Sequence, residues 1–470
     1  MMFDGGSRSL GTRAARLAAA WSAGRAGRVV ASPRRRFSRS IAADKRVPPD
    51  RATPRAPSIR RPFPVEGPPS SDPVAPSARP EEVTGTPLRI LALNWRCLRH
   101  PEAGGAERNL FEQARRWARD GHAVTIFCAD PGRAHASARD ENLDGVRVLR
   151  RGGRFSVYLH AALFLLARGD RFHRVLDVQN GIPFFAPLFT GTPSVLLVHH
   201  INARQWYTEF PRPLAAFGAF VESRVTPLIY RGHPIITVST TTRDALVSLG
   251  VPVARVRVIH NGVEPSTGPL PVPAPGRRIA YVGRLKRYKR LDLLIGAVAA
   301  LRSSFPDLHL DIAGDGDARA ELEELVVRCG LRERVTFHGF VDEITKAQLL
   351  QRAMVFATPS MHEGWGLSVI EANAHGCPAV AYNVPGLCVA IRHGETGILA
   401  DDDAGFRAAL ASLLAEPALR ERLSTAARRW ADRFSWESCA NDTLEVLRAY
   451  DATPRRWGER APDVALDALT

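Results

Sequence analysis

MVFATPSMHEGWGLSVIEANAHG, residues 354–376, sets the terms of the fold. An apolar run with strand-forming residues ends at about Ser360. A loop holding Gly364 and Gly366 follows, and GLSVIEANAH has the apolar spacing of a helix that Gly376 closes. Strand, glycine loop and helix make one unit of a parallel sheet. Gly364 and Gly366 precede the first turn, so backbone N–H groups stand open at the positive end of the helix dipole, a seat for phosphate or diphosphate. Glu371 falls more than a turn inside that helix and Glu363 in the loop. Two carboxylates so placed suit hydroxyl groups on either side of a diphosphate. Spacing alone does not separate this from a chance pair of glutamates among turn glycines; position at a strand end does.

The same alternation runs outward in both directions. LRILALNW (88–95), HAVTIFCA (122–129), VRVLRR (146–151), HRVLDVQN (173–180), PSVLLVHH (193–200), PIITVST and VRVIHNG (256–262) read as strands. ERNLFEQARRWARDG and TTRDALVSLG read as helices ended by glycine. EPSTGPLPVPAPGRR (264–278) breaks the pattern as a linker, and beyond it the alternation restarts at RIAYVG. The expected class is α/β: two doubly wound parallel-sheet domains, residues 88–263 and 279–427, facing across a cleft. Residues 428–450 read as further helices and 451–470 as a tail.

A chain of 470 residues suits two or three domains. Its six cysteines are scattered without a CxxC pair, which argues against a zinc site or disulfide framework and fits a reducing, cytoplasmic compartment. The most lipid-like stretch, VYLHAALFLLA (157–167), is too short to span a bilayer and reads as a core helix. The net charge of +16 is unevenly placed: residues 1–87 hold 16 Lys/Arg against 7 Asp/Glu, or +9, leaving +7 for the rest. This head is Arg-, Ala- and Ser-rich, then carries 12 prolines within 48–87, the composition of a disordered extension. Its acid-poor opening also has transit-peptide composition, with a basic tail or an upstream start codon as the preferred readings.

Arg284 and Lys289, in YVGRLKRYKRLDLLIGA, fall between a strand and the next helix, where a guanidinium fork and an ammonium suit diphosphate oxygens. A solvated basic turn is the alternative, since Lys286, Arg287 and Arg290 are equally basic. Taken together, GGAE (104–107), HNGV (260–263), VGRLKRYK (282–289), AGDGD (313–317), HGFV (338–341) and the E-x7-E run from Glu363 to Glu371 resemble a GT-B-fold glycosyltransferase of the large family 4 type, across residues 88 to about 450. Arg290 departs from that pattern, which usually has glycine after the lysine, and a minor local effect is expected.

The resemblance implies a nucleotide-diphosphate-sugar donor held mainly by the C-terminal domain. Arg284 and Lys289 would neutralise the diphosphate, Glu371 would hold the ribose hydroxyls and Glu363 the donor-sugar hydroxyls. Gly364, Gly366 and Leu367 would offer backbone amides, the HGFV turn ending at Val341 would frame the base, and Gly104 and Gly105 would approach the diphosphate from the other side. His199 or His200 would face the acceptor or the donor's C6 hydroxyl, with His199 preferred and a core-packed histidine the alternative for either. The family further implies retention of anomeric configuration, and residues 428–450 crossing back to the N-terminal domain. No cofactor and no metal are expected. Asp315-Gly316-Asp317 imitates a metal-binding motif, but reads better as a turn with an aspartate capping the next helix. The acceptor is expected to be a glycan, a lipid-linked sugar or a small molecule, and no nucleic acid is expected. EFPRPLAAFGAFVESRVTPLIYRG (209–232) mixes apolar and basic residues, suiting either an ordinary packed helix pair or peripheral contact with the inner face of a membrane. A nucleotide-sugar epimerase or hydrolase, and a non-enzymatic polyanion binder, are the competing readings.

Overall fold

The computed structural model describes residues 86–450, except 101, 133–137, 202–205 and 266–275, and except the side chains of residues 208 and 209. The extension expected over 1–87, most of the linker and the tail therefore lie outside the described residues.

Two sheets carry the fold. In the first, β1 (Arg89–Leu93), β2 (Ala123–Cys128), β3 (Asp140–Leu143), β4 (Val146–Arg150), β5 (Arg174–Gln179), β6 (Ser194–Val198), β7 (Ile235–Thr237) and β8 (Val256–Val258) stand in the order β3-β4-β2-β1-β5-β6-β7-β8. All pairs are parallel except the β3–β4 hairpin at the edge. In the second sheet, β9 (Arg278–Val282), β10 (His309–Ala313), β11 (Val335–Gly339), β12 (Val355–Thr358), β13 (Ala379–Tyr382) and β14 (Gly397–Ala400) stand in the order β11-β10-β9-β12-β13-β14, all parallel. Central strands such as β1 and β6 are apolar and buried along nearly their whole length because helices cover both faces, as parallel sheets require.

Helix α1 (Gly105–Arg119) shows how that covering arises. Its buried Leu110, Phe111, Ala114 and Trp117 recur at helical spacing and pack with Ile90 and Val124. Its start is fixed by a capping contact in which the Gly104 N–H donates to Glu107 Oε2 at 2.7 Å. Helix α2 (Val157–Arg168) covers the opposite face, burying Val157, Ala161 and Leu165 against Leu91, Leu93 and Phe127. It is not the core helix its composition suggests: Leu159, Leu163 and Leu166 point outward, 62%, 57% and 66% exposed. Helices α3 (Arg212–Phe220) and α4 (Thr240–Ser248) complete this half. The second half adds α5 (Leu291–Leu301), α6 (Arg319–Arg328), α7 (Glu343–Arg352), α8 (Leu367–Ala374), α9 (Asp403–Ala415) and α10 (Pro417–Ala431).

The last helix, α11 (Trp436–Ala449), packs on α1 of the first half. Trp117 Nε1 donates to the Ala440 carbonyl at 2.8 Å, and Arg116 pairs with Glu437 at 3.2 Å. The approach is close at Gly262, where a β-carbon would stand 2.1 Å from the Trp436 nitrogen. One apolar cluster consequently runs from Ile90 and Leu110 through Trp436 and Trp365 to Val369 and Ala381. Among the described residues no helix is long and apolar enough to cross a membrane.

Candidate active site

In each sheet the strand order reverses next to its first strand, between β1 and β5 and between β9 and β12. Loops leaving the carboxyl ends of strands splay apart at such a point and leave a crevice. The segments after β1, β9 and β12 carry most of the residues expected at the site: Gly104 and Gly105, Arg284 and Lys289, and Glu363, Gly364, Gly366 and Leu367.

The two halves meet there. A β-carbon on Gly104 would stand 3.6 Å from Arg284 Nε, and one on Gly105 would stand 3.6 Å from Leu367 Cδ2. The start of α1 thus faces both the basic loop after β9 and the start of α8. Gly366, at φ 82°, turns the chain into α8 in the left-handed region, where a side chain is disfavoured. No side chain caps α8, so its first N–H groups are not taken by a capping residue.

Charge is concentrated in this crevice. Lys289 and Glu363 form an ion pair, their side chains 13% and 17% exposed. Burial alone would lower the Lys289 ammonium, but the Glu363 carboxylate and Tyr288 outweigh it and hold it above its ordinary value. Burial alone would raise Glu363, and Lys289 outweighs it in turn, holding the carboxyl below the usual range. Both groups stay charged. Arg284 is likewise raised against its burial, by Tyr288 and Glu107, and donates to the Tyr288 hydroxyl at 3.3 Å.

Glu371 is held by two cations that sequence reasoning missed. Lys346 on α7 donates to Glu371 Oε1 at 2.7 Å, and Arg108 on α1 approaches the same oxygen at 3.4 Å. Glu343 joins them, 2.8 Å from Lys346 and also paired with Arg108. Arg108 follows GGAE directly, so adjacency to that motif was the available signal; Lys346 had none, because its approach depends on how α7 packs beside α8.

His199, at the end of β6, is buried, and desolvation pushes its imidazole down to about 3, with His200 adding to the effect. It is therefore neutral, and its Nε2 has no hydrogen-bond partner among the described residues. Its backbone touches the glycine loop: a β-carbon on Gly364 would stand 2.5 Å from the His199 carbonyl oxygen. Gly364 is thus required by contact between the halves, beyond any amide it offers. His200 also lies near the glycine loop, its ring 5.6 Å from that of His362. Val341 is half-buried just past β11, in a turn fastened by His338 Nε2 to Asp311 Oδ1 at 2.8 Å.

One motif reading needs correction, and a second motif proves to lie at the junction. Asp317 does not cap a helix: α6 begins at Arg319 without a side-chain cap, and Asp317 instead pairs with Lys286 at 2.9 Å while Asp315 accepts from the Gly316 N–H at 2.7 Å. The glycines of AGDGD serve close packing, since a β-carbon on Gly314 would stand 1.9 Å from the Gly283 oxygen and one on Gly316 2.3 Å from the Leu285 oxygen. HNGV belongs to the junction between halves, with His260 stacked on Trp365 at 4.0 Å and Val263 N–H donating to the Phe434 carbonyl at 3.0 Å.

Comparison with known proteins agrees with this geometry. The model of the glycosyltransferase family 4 matches residues 103–267, and that of the glycosyl transferases group 1 matches residues 268–430. Glycogen synthase of Mycobacterium tuberculosis is 28% identical over 418 residues, spanning 81% of this chain and 98% of the relative. D-inositol 3-phosphate glycosyltransferase of Streptomyces avermitilis is 33% identical over 314 residues, spanning 61% of this chain and 67% of the relative. Among solved structures, Anabaena HepE in complex with UDP and glucose superposes with a TM-score of 0.62 at 19% identity, covering 77% of this chain and all of that one (100%). Sucrose-phosphate synthase from Thermosynechococcus elongatus gives 0.65 at 22% identity, covering 77% and 98%. With two mostly parallel α/β sheets meeting at their switch points, and the two family models matching adjoining spans that together run from residue 103 to 430, the chain belongs to the GT-B glycosyltransferases of the family 4, group 1 type.

Proposed function

We propose that this chain transfers a hexosyl group from a nucleotide-diphosphate sugar, UDP- or GDP-linked, to a hydroxyl of a glycan, a lipid-linked sugar or a small molecule. The observation that carries the reading is the convergence of Gly104, Arg284, Lys289 and the start of α8 on one crevice between the sheets. Breaking a sugar–diphosphate bond leaves negative charge on the departing diphosphate, and donors fixed in advance around it lower the barrier most effectively. Arg284, Lys289 and the α8 amides supply that charge from this chain's own groups, and the reading takes no metal. In this reading Glu371, braced by Arg108 and Lys346, accepts from ribose hydroxyls, and Glu363 from donor-sugar hydroxyls. Transfer proceeds with retention, the acceptor attacking on the face the diphosphate leaves. HepE, solved with UDP-glucose, supports the donor class.

The test is a thermal-shift screen against UDP-, GDP- and ADP-sugars, followed by product analysis with the best binder and candidate acceptors. Glu371→Ala and Lys289→Ala should each weaken donor binding roughly tenfold or more in protein that remains folded, the Lys289 variant with lowered stability. Unchanged donor affinity in both variants would remove the assignment. Epimer or free sugar formed from donor alone would replace transfer with epimerisation or hydrolysis.

A further inference from the structure

A helix laid on a sheet normally turns a polar side to water. Helix α2 does not. It carries no Asp, Glu, Lys or Arg between Val157 and Arg168, and its outward positions Leu159, Leu163 and Leu166 follow one helical stripe, led by Phe155 at 72% exposure. Beside it in the fold, α3 and the turn Thr226–Ile229 repeat the anomaly: Phe217, Phe220 and Leu228 are 59%, 57% and 68% exposed. Both segments cover the same face of the first sheet. Leu93, Asp177 and Leu196 are cross-strand neighbours on that face; α2 packs over Leu93, while Tyr230, just after the second segment, packs over Leu196 and donates to Asp177.

The exposed charges interleaved with these apolar residues are predominantly positive. Arg154, Arg168, Arg171, Arg212, Arg224 and Arg231 are exposed. Of the acids in the same segments, Asp170 is exposed, Glu222 is buried and bonded to Gln179 and Trp206, and Glu209 is the third. Apolar patches of several exposed large side chains mark interaction sites. Leucine and phenylalanine flanked by arginine suit the boundary of an anionic bilayer, the apolar groups entering the acyl region and the guanidinium groups meeting phosphate. A second copy fits less well, because a two-fold interface sets a patch against itself and would face these arginines with one another.

We propose that this face of the first domain, formed by α2, α3 and the turn Thr226–Ile229, docks on an anionic phospholipid surface. The proposal does not depend on the donor assignments. Its test is sedimentation of the full chain with vesicles of phosphatidylcholine alone and of phosphatidylcholine mixed with phosphatidylglycerol, at low and high salt. Residues 1–87, at +9, attract anionic vesicles by charge alone, so the deciding variant keeps every charge: Leu159→Ser with Leu163→Ser and Leu166→Ser. The full chain should prefer the mixed vesicles, and the triple variant should lose roughly tenfold or more of that binding at high salt, with an unchanged thermal melt. Should the triple variant unfold, Phe217→Ser with Leu228→Ser makes the same test. Equal binding of wild type and a folded variant overturns the proposal, as does absence of vesicle binding, including the case where the variants instead abolish a dimer seen by gel filtration. Equal binding to both vesicle types overturns its anionic part.

Discussion

The His199 carbonyl oxygen stands 2.5 Å from the position a β-carbon on Gly364 would take, with the carbonyl carbon at 3.3 Å. The obstacle is backbone, which has no rotamer to retreat into, so Gly364→Ala forces the glycine loop and the end of β6 apart. Overpacking of this kind costs about 1–3 kcal/mol. Denaturant unfolding should show that loss, and turnover should fall more steeply than stability because Glu363 and α8 move with the loop. Gly296→Ala on α5, where nothing lies within 4 Å, is the control and should be neutral or stabilising. Equal effects of the two substitutions would refute the contact.

Lys289 and Glu363 are each charged because of the other. Removing one leaves an uncompensated, largely buried charge, whereas removing both leaves a smaller penalty. Lys289→Met should therefore destabilise by about 3 kcal/mol, and the double variant with Glu363→Gln by less than the sum of the singles. Additive losses would show that the pair is not coupled. The sign with pH follows from Glu363, whose folded carboxyl is depressed. Its contribution is present above the ordinary carboxylate range and is lost as pH falls through the lower folded value.

Arg290 occupies the left-handed region at φ 53° and ψ 40°, directly after Lys289. A side chain there costs roughly 1–2 kcal/mol relative to glycine, and its exposed pairing with Asp292 at 3.1 Å returns little. Arg290→Gly should raise stability by about 1 kcal/mol in denaturant unfolding without changing turnover. Arg290→Ala, which keeps the backbone conformation and loses the ion pair, should give no such gain. A destabilised glycine variant would mean that the ion pair outweighs the strain.

What was legible in the sequence follows from which features are local. The βα alternation and the glycine loops after β1, β9 and β12 are written in runs of a few residues, and their placement at strand ends follows from topology. The β3–β4 hairpin was also legible and was missed: Asp144 and Gly145, both at positive φ, are the Asp-Gly pair that marks a tight hairpin turn. The outward leucines of α2 could not be told from core leucines, because an apolar helix looks the same whether its second face meets protein or not. Arg108 and Lys346 converge on Glu371 from two helices 238 positions apart in the chain (346 − 108), and no local pattern encodes that meeting. Gly364 reads as a turn or ligand glycine and Gly262 as the end of a strand, yet what requires each is a distant backbone pressed against it.

His199 offers the clearest dependence on pH. Desolvation lowers its imidazole from 6.5 to about 3, with a smaller contribution from His200. An unfolded chain takes up the proton near 6.5 while the folded chain refuses it until about 3, so the unfolded state binds more protons across that window. Stability is therefore lost as pH falls through it, by up to about 5 kcal/mol at the acid end. His233, His260, His362 and His375 are also lowered by burial, so only the difference between wild type and variant isolates this group. His199→Gln should flatten the stability profile below 6.5 and leave it parallel to wild type above. The same neutrality means that turnover should show no ionisation of His199 near 6.5, so an acid limb at that pH that vanishes in His199→Gln would contradict the buried, uncharged state.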